Sequence, residues 1–456
     1  MPTVRPFRAL RYSTEVVPDL GSVVAPPYDV ISPELHRRLL ARDPRNVVRL
    51  DLPESEAGDA DPDERYRRAA RLIRAWRSDG TLRRDPRPSL YPYEQTYRLP
   101  GAGNSGAANS GAADEEHESR VRRGVFARLV LEPFGAESGV RPHERTMSGP
   151  KEDRYRLLRA TDVNTSPVVG MYEDASGTVA AWLEDVTGST PPVADVTDDD
   201  GVRHRLWAVA ADQADPIAGR VAGRLGAGPI TIADGHHRYE TALRYRDERR
   251  RGAPASDDPP GWDEILALLL EPIAGPIAVL ATHRVVLGLG DEGPERLRAG
   301  LTELFDVGPA VSAEDLRRAF APDSGAVGGA SRFGLWTREG GAILHSRSSA
   351  FEPILPPGGA ALRRLDVTVL GAALDRLLGI DPAAVDAGAR IAYTKDAAEA
   401  IAWVDGAHDG ADAAFLLDPT PAAEIAAVAA DGDVMPQKST YIYPKALTGL
   451  VINPLE

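Results

Sequence analysis

One stretch constrains this chain more than any other: Ile230-Thr-Ile-Ala-Asp-Gly-His-His-Arg-Tyr-Glu240. A short β-branched run ends in Asp-Gly and passes straight into a long polar run. This predicts a buried strand over 229–232, a tight turn, and a helix from about 236 to 250. Gly235 lets the backbone turn sharply and come close to a ligand. The amides that follow stand at a helix N-terminus, where unpaired donors and the helix dipole favour an anion. Arg238 falls in the first helical turn and can reach back to that anion, and His236 and His237 add donors or bases. The loop is no Walker A motif, which needs more glycines and a Gly-Lys-Ser/Thr ending. The plain structural alternative is a capped helix start with two satisfied histidines; so dense a cluster of Asp, His and Arg argues for function. His236 and Glu240 are four apart and share a helix face, so a divalent metal site is a second reading.

Around this loop, strand-like and helix-like segments alternate, which implies a mixed α/β class. Expected strands are 47–50, 90–99, 125–131, 168–172, 205–210, 265–273 and one continuous strand over 278–286. Expected helices are one opened by Pro33 with Ser32 as N-cap, then 64–78, 178–185 and 213–225. An acidic turn is expected at 195–200. Residues 101–111 are rich in Gly, Ala, Asn and Ser and lead into an acidic tract, which reads as a flexible insertion. Beyond 294 the pattern is helix, strand, strand, helix, with a hairpin about Gly340-Gly341. The expected division is a catalytic region over 1–290 and a C-terminal α/β lobe over 291–456 that adds residues 435–440 to the site.

Composition narrows the function classes. The chain has no cysteine, which excludes disulfides, thiolate ligands and a cysteine nucleophile and fits a cytoplasmic enzyme. The formal charge of −15 disfavours bulk binding to nucleic acid. No apolar run approaches the length of a membrane span, and the N-terminus lacks the apolar core of a signal peptide. Four lysines stand against 49 arginines: Lys151, Lys395, Lys438 and Lys445. Where Arg is so strongly favoured, a retained Lys marks a job for a compact ammonium, such as approaching a phosphate as a point charge. Lys151, Lys438 and Lys445 are the candidates, with Lys395 the weakest of the four.

Two further segments carry chemistry. The first is Arg141-Pro-His-Glu-Arg-Thr146, followed by Gly149-Pro-Lys-Glu-Asp-Arg154. A helix is expected from about Pro150, with Lys151, Asp153 and Arg154 in its first two turns. Glu144 is a candidate general base, with His143 orienting it or touching the substrate; a solvated polar loop is the alternative. The second segment is Met435-Pro-Gln-Lys-Ser-Thr-Tyr-Ile-Tyr-Pro-Lys445, where Lys438, Ser439, Thr440 and Lys445 could meet a phosphate. A strand closing a sheet edge is its structural alternative. Weaker candidates are Tyr28 and Asp29 in Pro26-Pro-Tyr-Asp-Val30, and His283 and Arg284 after an apolar strand.

Taken together and in order, these motifs resemble the domain-of-unknown-function family numbered 1015 over nearly the whole chain. The carriers are Arg5-Pro-Phe-Arg-Ala9, Ala25-Pro-Pro-Tyr-Asp-Val-Ile31, His143-Glu-Arg-Thr146 with Lys151-Glu-Asp-Arg154, Ala233-Asp-Gly-His-His-Arg238 and Met435-Pro-Gln-Lys-Ser-Thr440. The Asp-Gly-His-His-Arg loop is also similar to the phosphate-binding loop of the ParB/sulfiredoxin superfamily, in particular of free serine kinases. That likeness implies a ParB/sulfiredoxin-like core and phosphoryl transfer from ATP or ADP, with Mg2+, to the hydroxyl of free L-serine. On that reading Gly235, His236, His237, Arg238, Lys438, Ser439, Thr440 and Lys445 hold phosphate or nucleotide. Glu144 or Asp234 takes the substrate proton, with His143 and Lys151 beside them, and the acceptor is met by Tyr28, Asp29, Thr146, Asp153, Arg154, His283 and Arg284. A nucleotide-binding regulator without turnover, a metal-dependent hydrolase using His236, Glu240 and His143, and a kinase for a different hydroxyl compound remain as alternatives. Oligomeric state is not legible in the sequence.

Overall fold

The computed structural model describes residues 1–100, 119–135, 138–144, 149–211, 216–252, 260–272, 277–290, 293–322, 331–386, 388 and 390–456. The tract read as a flexible insertion, and Thr146, lie outside the described residues. The class is mixed α/β, built on two large sheets. The first has ten strands, with the main path Val140–Pro142, Ile230–Asp234, Val168–Met171, Glu264–Leu270, Arg120–Val130, Ser89–Tyr97, Arg203–Leu206, Ala194–Thr197. The second has six, in the order Phe305–Val311, Gly340–Ser346, Arg332–Thr337, Ala411–Leu416, His283–Leu287, Ile391–Thr394. None of the helices among the described residues is long and apolar enough to cross a membrane.

The apolar run in Glu264–Leu270 shows why the first sheet is covered on both sides. Ile265, Ala267 and Leu269 pack into one core with Trp182, Trp207 and the Ile230–Asp234 strand. Leu266, Leu268 and Leu270 face the other way, into a core that continues to Phe305, Phe333 and Phe415 of the second sheet. A strand buried on both faces has no polar side to alternate, so it reads as an unbroken apolar run.

Many expected elements form. Ser32 caps the Pro33–Arg42 helix by accepting from the Leu35 amide, and the second helix is Glu64–Ser78. Four readings need correction. Residues 47–50 form no strand: Val48–Asp51 is a helical turn, because the Asn46 side chain accepts from the Val48 amide at 3.0 Å and curls the backbone. The acidic stretch 195–200 is a turn only in its second half, since Ala194–Thr197 pairs with Arg203–Leu206. The continuous strand over 278–286 breaks in two: Ala278–Leu280 pairs with Tyr441–Tyr443, and His283–Leu287 joins the second sheet. Phe305–Val311 is a strand that the sequence hides, because Gly308 and Pro309 interrupt its pattern. It is an edge strand whose register shifts between Val307 and Ala310, and an edge with a bulge tolerates proline.

The C-terminal segment is laid across the first sheet by a buried arginine. Arg122, 2% exposed, donates to the Tyr443 carbonyl at 3.0 Å, to the Pro444 carbonyl and to Gln95 Oε1. Gln95 in turn donates to the Lys445 carbonyl at 2.9 Å. Burial pushes the Arg122 guanidinium below its usual range. Arg122→Ala leaves three buried acceptors without this donor and is expected to cost about 3 kcal/mol. Urea unfolding checks this; an unchanged midpoint means that other contacts hold the segment.

Candidate functional site

Sheet register explains why motifs distant in sequence meet. Ile230–Asp234 runs parallel to Val140–Pro142, with Ile230 opposite Val140 and Ile232 opposite Pro142. The chain therefore leaves both strands at the same end, so His143-Glu144 emerges beside Ala233-Asp234. Glu144 forms a parallel bridge with Met435, whose amide donates to the His143 carbonyl at 2.8 Å. The three motif segments thus lie side by side. Their meeting point lines a cavity of about 370 Å³.

At its floor Gly235 turns at φ 84°, a conformation that favours glycine, and the His236–Gly252 helix starts at once. An added Cβ at Gly235 would stand 3.0 Å from Arg238 Nε, so the turn and the arginine pack on each other. Asp234 sits between two cations: Arg238 Nη2 and Lys445 Nζ each approach its carboxylate at 3.1 Å. Burial alone would raise this carboxyl, but Lys445 and Arg238 outweigh it and hold it well below the usual carboxylate range. Lys445 Nζ also lies 4.4 Å from the centroid of the Tyr441 ring, a cation–π contact.

Glu144 is in the opposite state. Burial pushes its carboxyl up to about 7, against the amides of Lys438 and Ser439, which donate to Oε1 at 2.7 Å and Oε2 at 3.3 Å. Lys438 is held there at φ 56°, a left-handed conformation that costs a non-glycine residue about 1 kcal/mol or more. Arg284 reinforces the turn by donating to the Lys438 carbonyl at 3.3 Å.

The histidines are held neutral. His143 Nδ1 bonds the Ile232 carbonyl at 2.5 Å and Nε2 bonds Thr440 Oγ1 at 2.9 Å; burial depresses its pKa to about 4. The His236 ring is edge-on to it at 4.6 Å, accepts from the His143 amide at 3.3 Å, and is driven well below the ordinary range by burial and by His143. His237 is lowered by burial and by Lys151. Lys151 Nζ pairs with Glu240 Oε2 at 2.5 Å. Hence His143 and Glu240 are committed to other partners, and among the described residues no three His, Cys, Asp or Glu side chains cluster as a metal ligand set.

The other expected residues divide cleanly. Tyr28 and Asp29 line the cavity, brought there by backbone pairing of Ala25 with Thr448. Gly235, His236, His237, Arg238, Lys438 and Thr440 line it as well, with His143, Glu144, Asp234 and Lys445. Lys151, Asp153, Arg154, Ser439, His283 and Arg284 do not. Arg154 is buried behind Tyr28, stacked 4.2 Å from its ring centroid and bonded to Asp153 and to the Asp51 carbonyl. Asp153 also takes the Tyr66 hydroxyl at 2.7 Å. Ser439 donates to the Pro436 carbonyl, and His283 Nδ1 accepts from the Leu417 amide at 3.2 Å. Sequence reasoning ranked Lys395 lowest of the lysines and passed over Tyr393, Thr394 and Glu399, which with Thr282 form the wall supplied by the second sheet. The rarity of lysine was the one signal pointing there.

Residues 4–368 match the family described as "Protein of unknown function (DUF1015)", and the chain belongs to it. No curated protein matches the chain in sequence. Among solved structures, a conserved hypothetical protein from Pyrococcus furiosus aligns at 14% identity, covering 66% of this chain and 86% of that one, with a TM-score of 0.32. A free serine kinase in complex with AMP aligns at 13% identity, covering 68% and 92%, with a TM-score of 0.32. SbnI with a C-terminal truncation, from Staphylococcus aureus, aligns at 12% identity, covering 70% and 84%, with a TM-score of 0.33.

The buried titrations predict an acid-sensitive fold. His143, His236, His237 and His283 all have folded pKa values below the ordinary 6.5, so the unfolded chain takes up their protons first as pH falls. Glu144 (about 7) and Asp366 (about 6) act in the opposite sense, because burial makes the folded state hold their protons more tightly. The four histidines outnumber these two carboxyls, so unfolding takes up protons on balance and stability should fall as pH drops from 6.5 toward 4.5. His283→Asn, whose side-chain oxygen can still accept from Leu417, should flatten that slope by about one proton. Urea titrations between pH 4.5 and 6.5 measure it, and a flat profile contradicts the neutral-histidine assignment.

Proposed function

We propose, from a family membership that fixes no activity by itself, that the protein is a small-molecule kinase. It would transfer a phosphoryl group from ATP or ADP to a hydroxyl, with free L-serine as the favoured acceptor. The observation that carries this reading is the pairing of unlike groups in one cavity. A helix N-terminus with Arg238, Lys445 and Lys438 faces a carboxyl that titrates at about 7. Phosphoryl transfer needs charge neutralisation and positioning, with one group to take the hydroxyl proton. The choice of serine rests on the likeness of the Asp-Gly-His-His-Arg loop to that of free serine kinases.

The geometry supports a set of roles for these residues. The amides after Gly235 and the Arg238 guanidinium would hold the transferred phosphate, with Lys445 and Lys438 adding point charges. Of the two candidate bases, Glu144 is preferred. Asp234 binds a proton too weakly between its two cations, whereas Glu144 lies near the working pH, where a general base is most effective. His143 would hold Thr440 and the Glu144 segment in place as a neutral ring. Tyr28 and Asp29 would meet the acceptor or the nucleotide. Mg2+ carried in with the nucleotide would supply neutralisation of phosphate charge. Asp234 has both oxygens engaged by cations, so the exposed Asp29 is the carboxylate that would hold the ion. The proposed division into a catalytic region and a C-terminal lobe would place this cavity between them.

The test is incubation with L-serine, Mg2+ and ATP or ADP, following O-phosphoserine by phosphorus NMR. Arg238→Ala and Glu144→Gln should each lower turnover by about 10²-fold or more. The carboxylate form of Glu144 is the active one, so the wild-type rate should rise with pH through about 7, and Glu144→Gln should abolish that rise. If nucleotide binds but serine is not phosphorylated, the acceptor is a different hydroxyl compound. If no nucleotide binds, the kinase reading falls.

A further inference from the structure

The weakest of the four lysines in sequence terms is the one that the fold treats most unexpectedly. Lys438 and Lys445 line the cavity, and Lys151 stands close enough to disfavour protonation of His237. Lys395 follows the edge strand Ile391–Thr394 of the second sheet, more than a hundred residues from Lys151 and on the opposite wall, and it lines the same cavity. Register puts it there: Thr394 pairs with His283, so Lys395 emerges beside Thr282, which also faces the cavity. Its ammonium lies 4.8 Å from the centroid of the Tyr441 ring, the same ring that Lys445 approaches at 4.4 Å. Tyr441 thus carries one ammonium from each wall. Burial raises its hydroxyl well above the ordinary range, so the ring stays neutral and cancels neither charge. Lys395 Nζ reaches the Tyr441 hydroxyl at 3.4 Å and makes no ion pair with a described carboxylate. With 49 arginines and four lysines, the presence of three of the lysines, Lys395, Lys438 and Lys445, in the lining of one cavity has no explanation in surface solvation, which arginine serves elsewhere.

We infer that Lys395 is a binding residue for the phosphate chain of a nucleotide, contributed by the second sheet and closing the anion site from the side facing the Asp-Gly-His-His-Arg loop. This rests on the reading of the cavity as a polyphosphate site and adds a residue and a wall to it. A compact ammonium fits the place because the Tyr441 face takes one side of it and leaves its other donors for an incoming anion. Lys395 is also shared with the lining of a second cavity, of about 630 Å³, so its ammonium stands where the two spaces border each other.

The experiment is equilibrium binding of ADP and, separately, of inorganic pyrophosphate to the full chain, at low salt and at 0.5 M salt, about 3–4 times physiological ionic strength. Lys395→Ala should weaken both ligands about tenfold at low salt, and the difference should shrink at high salt because it is electrostatic. Lys395→Arg should recover only part of the loss. Arg376→Ala, which removes an exposed cation on the Asp366–Leu378 helix, should change nothing. Lys395 is exposed, so its replacement does not threaten folding. Wild-type binding with Lys395→Ala unchanged overturns this inference and leaves the kinase reading standing. Full recovery by Lys395→Arg overturns the requirement for an ammonium. Failure of the wild type to bind either ligand overturns the polyphosphate reading and this inference with it.

Discussion

Asp234 between Arg238 and Lys445 is the contact on which the rest of the site depends. A carboxylate this deep can stay ionised only if its charge is met, and here two cations meet it at 3.1 Å each. One comes from the first turn of the helix that Gly235 starts, and the other from a segment more than two hundred residues later. The single carboxylate therefore fixes the phosphate-type loop and the C-terminal segment to each other. It meets two of the four cations that line the cavity, Arg238 and Lys445, while Lys438 and Lys395 share the lining with the carboxyls of Asp29, Glu144 and Glu399.

That arrangement separates the two carboxyls by environment rather than by sequence. Glu144 and Asp234 are close enough to disfavour each other's ionisation, yet one is gripped by cations and the other mainly by backbone amides. The first is thereby fixed as a structural anion and the second is poised near neutrality, the condition in which environment assigns acid and base roles. On the proposed reading, Glu144 would take the proton that leaves a bound hydroxyl.

The local half of the site was legible in the sequence, and the long-range half was not. Gly235 and the helix after it could be read directly because a strand, a tight turn and a helix start each carry a short-range signature. The pairing of Glu144 with Met435 carries none, since strand register is set by partners distant in sequence. For the same reason His283 and Arg284 were expected to line a pocket and instead support it, holding the Leu417 amide and the Lys438 carbonyl. The histidines show a different limit. His143 reads in the sequence as an orienter of Glu144 or a substrate contact, but once it is buried with a partner on each nitrogen, what remains is a neutral brace.

The scarcity of lysine gains its meaning from what arginine would do in the same places. A guanidinium opposite Asp234 would meet both carboxylate oxygens as a planar fork and direct most of its donors into that one pair. Lys445 touches a single oxygen and rests on the Tyr441 face, and on the proposed reading its remaining donors would meet an anion above the loop. Arg238 can be an arginine because its fork is divided between the Asp234 carboxylate and the Pro167 carbonyl, which locks the first helical turn to the neighbouring strand. A rigid cation belongs where the scaffold must be held, and a rotatable one where a ligand must be met. On the proposed reading, three of the four lysines stand where a ligand would be met.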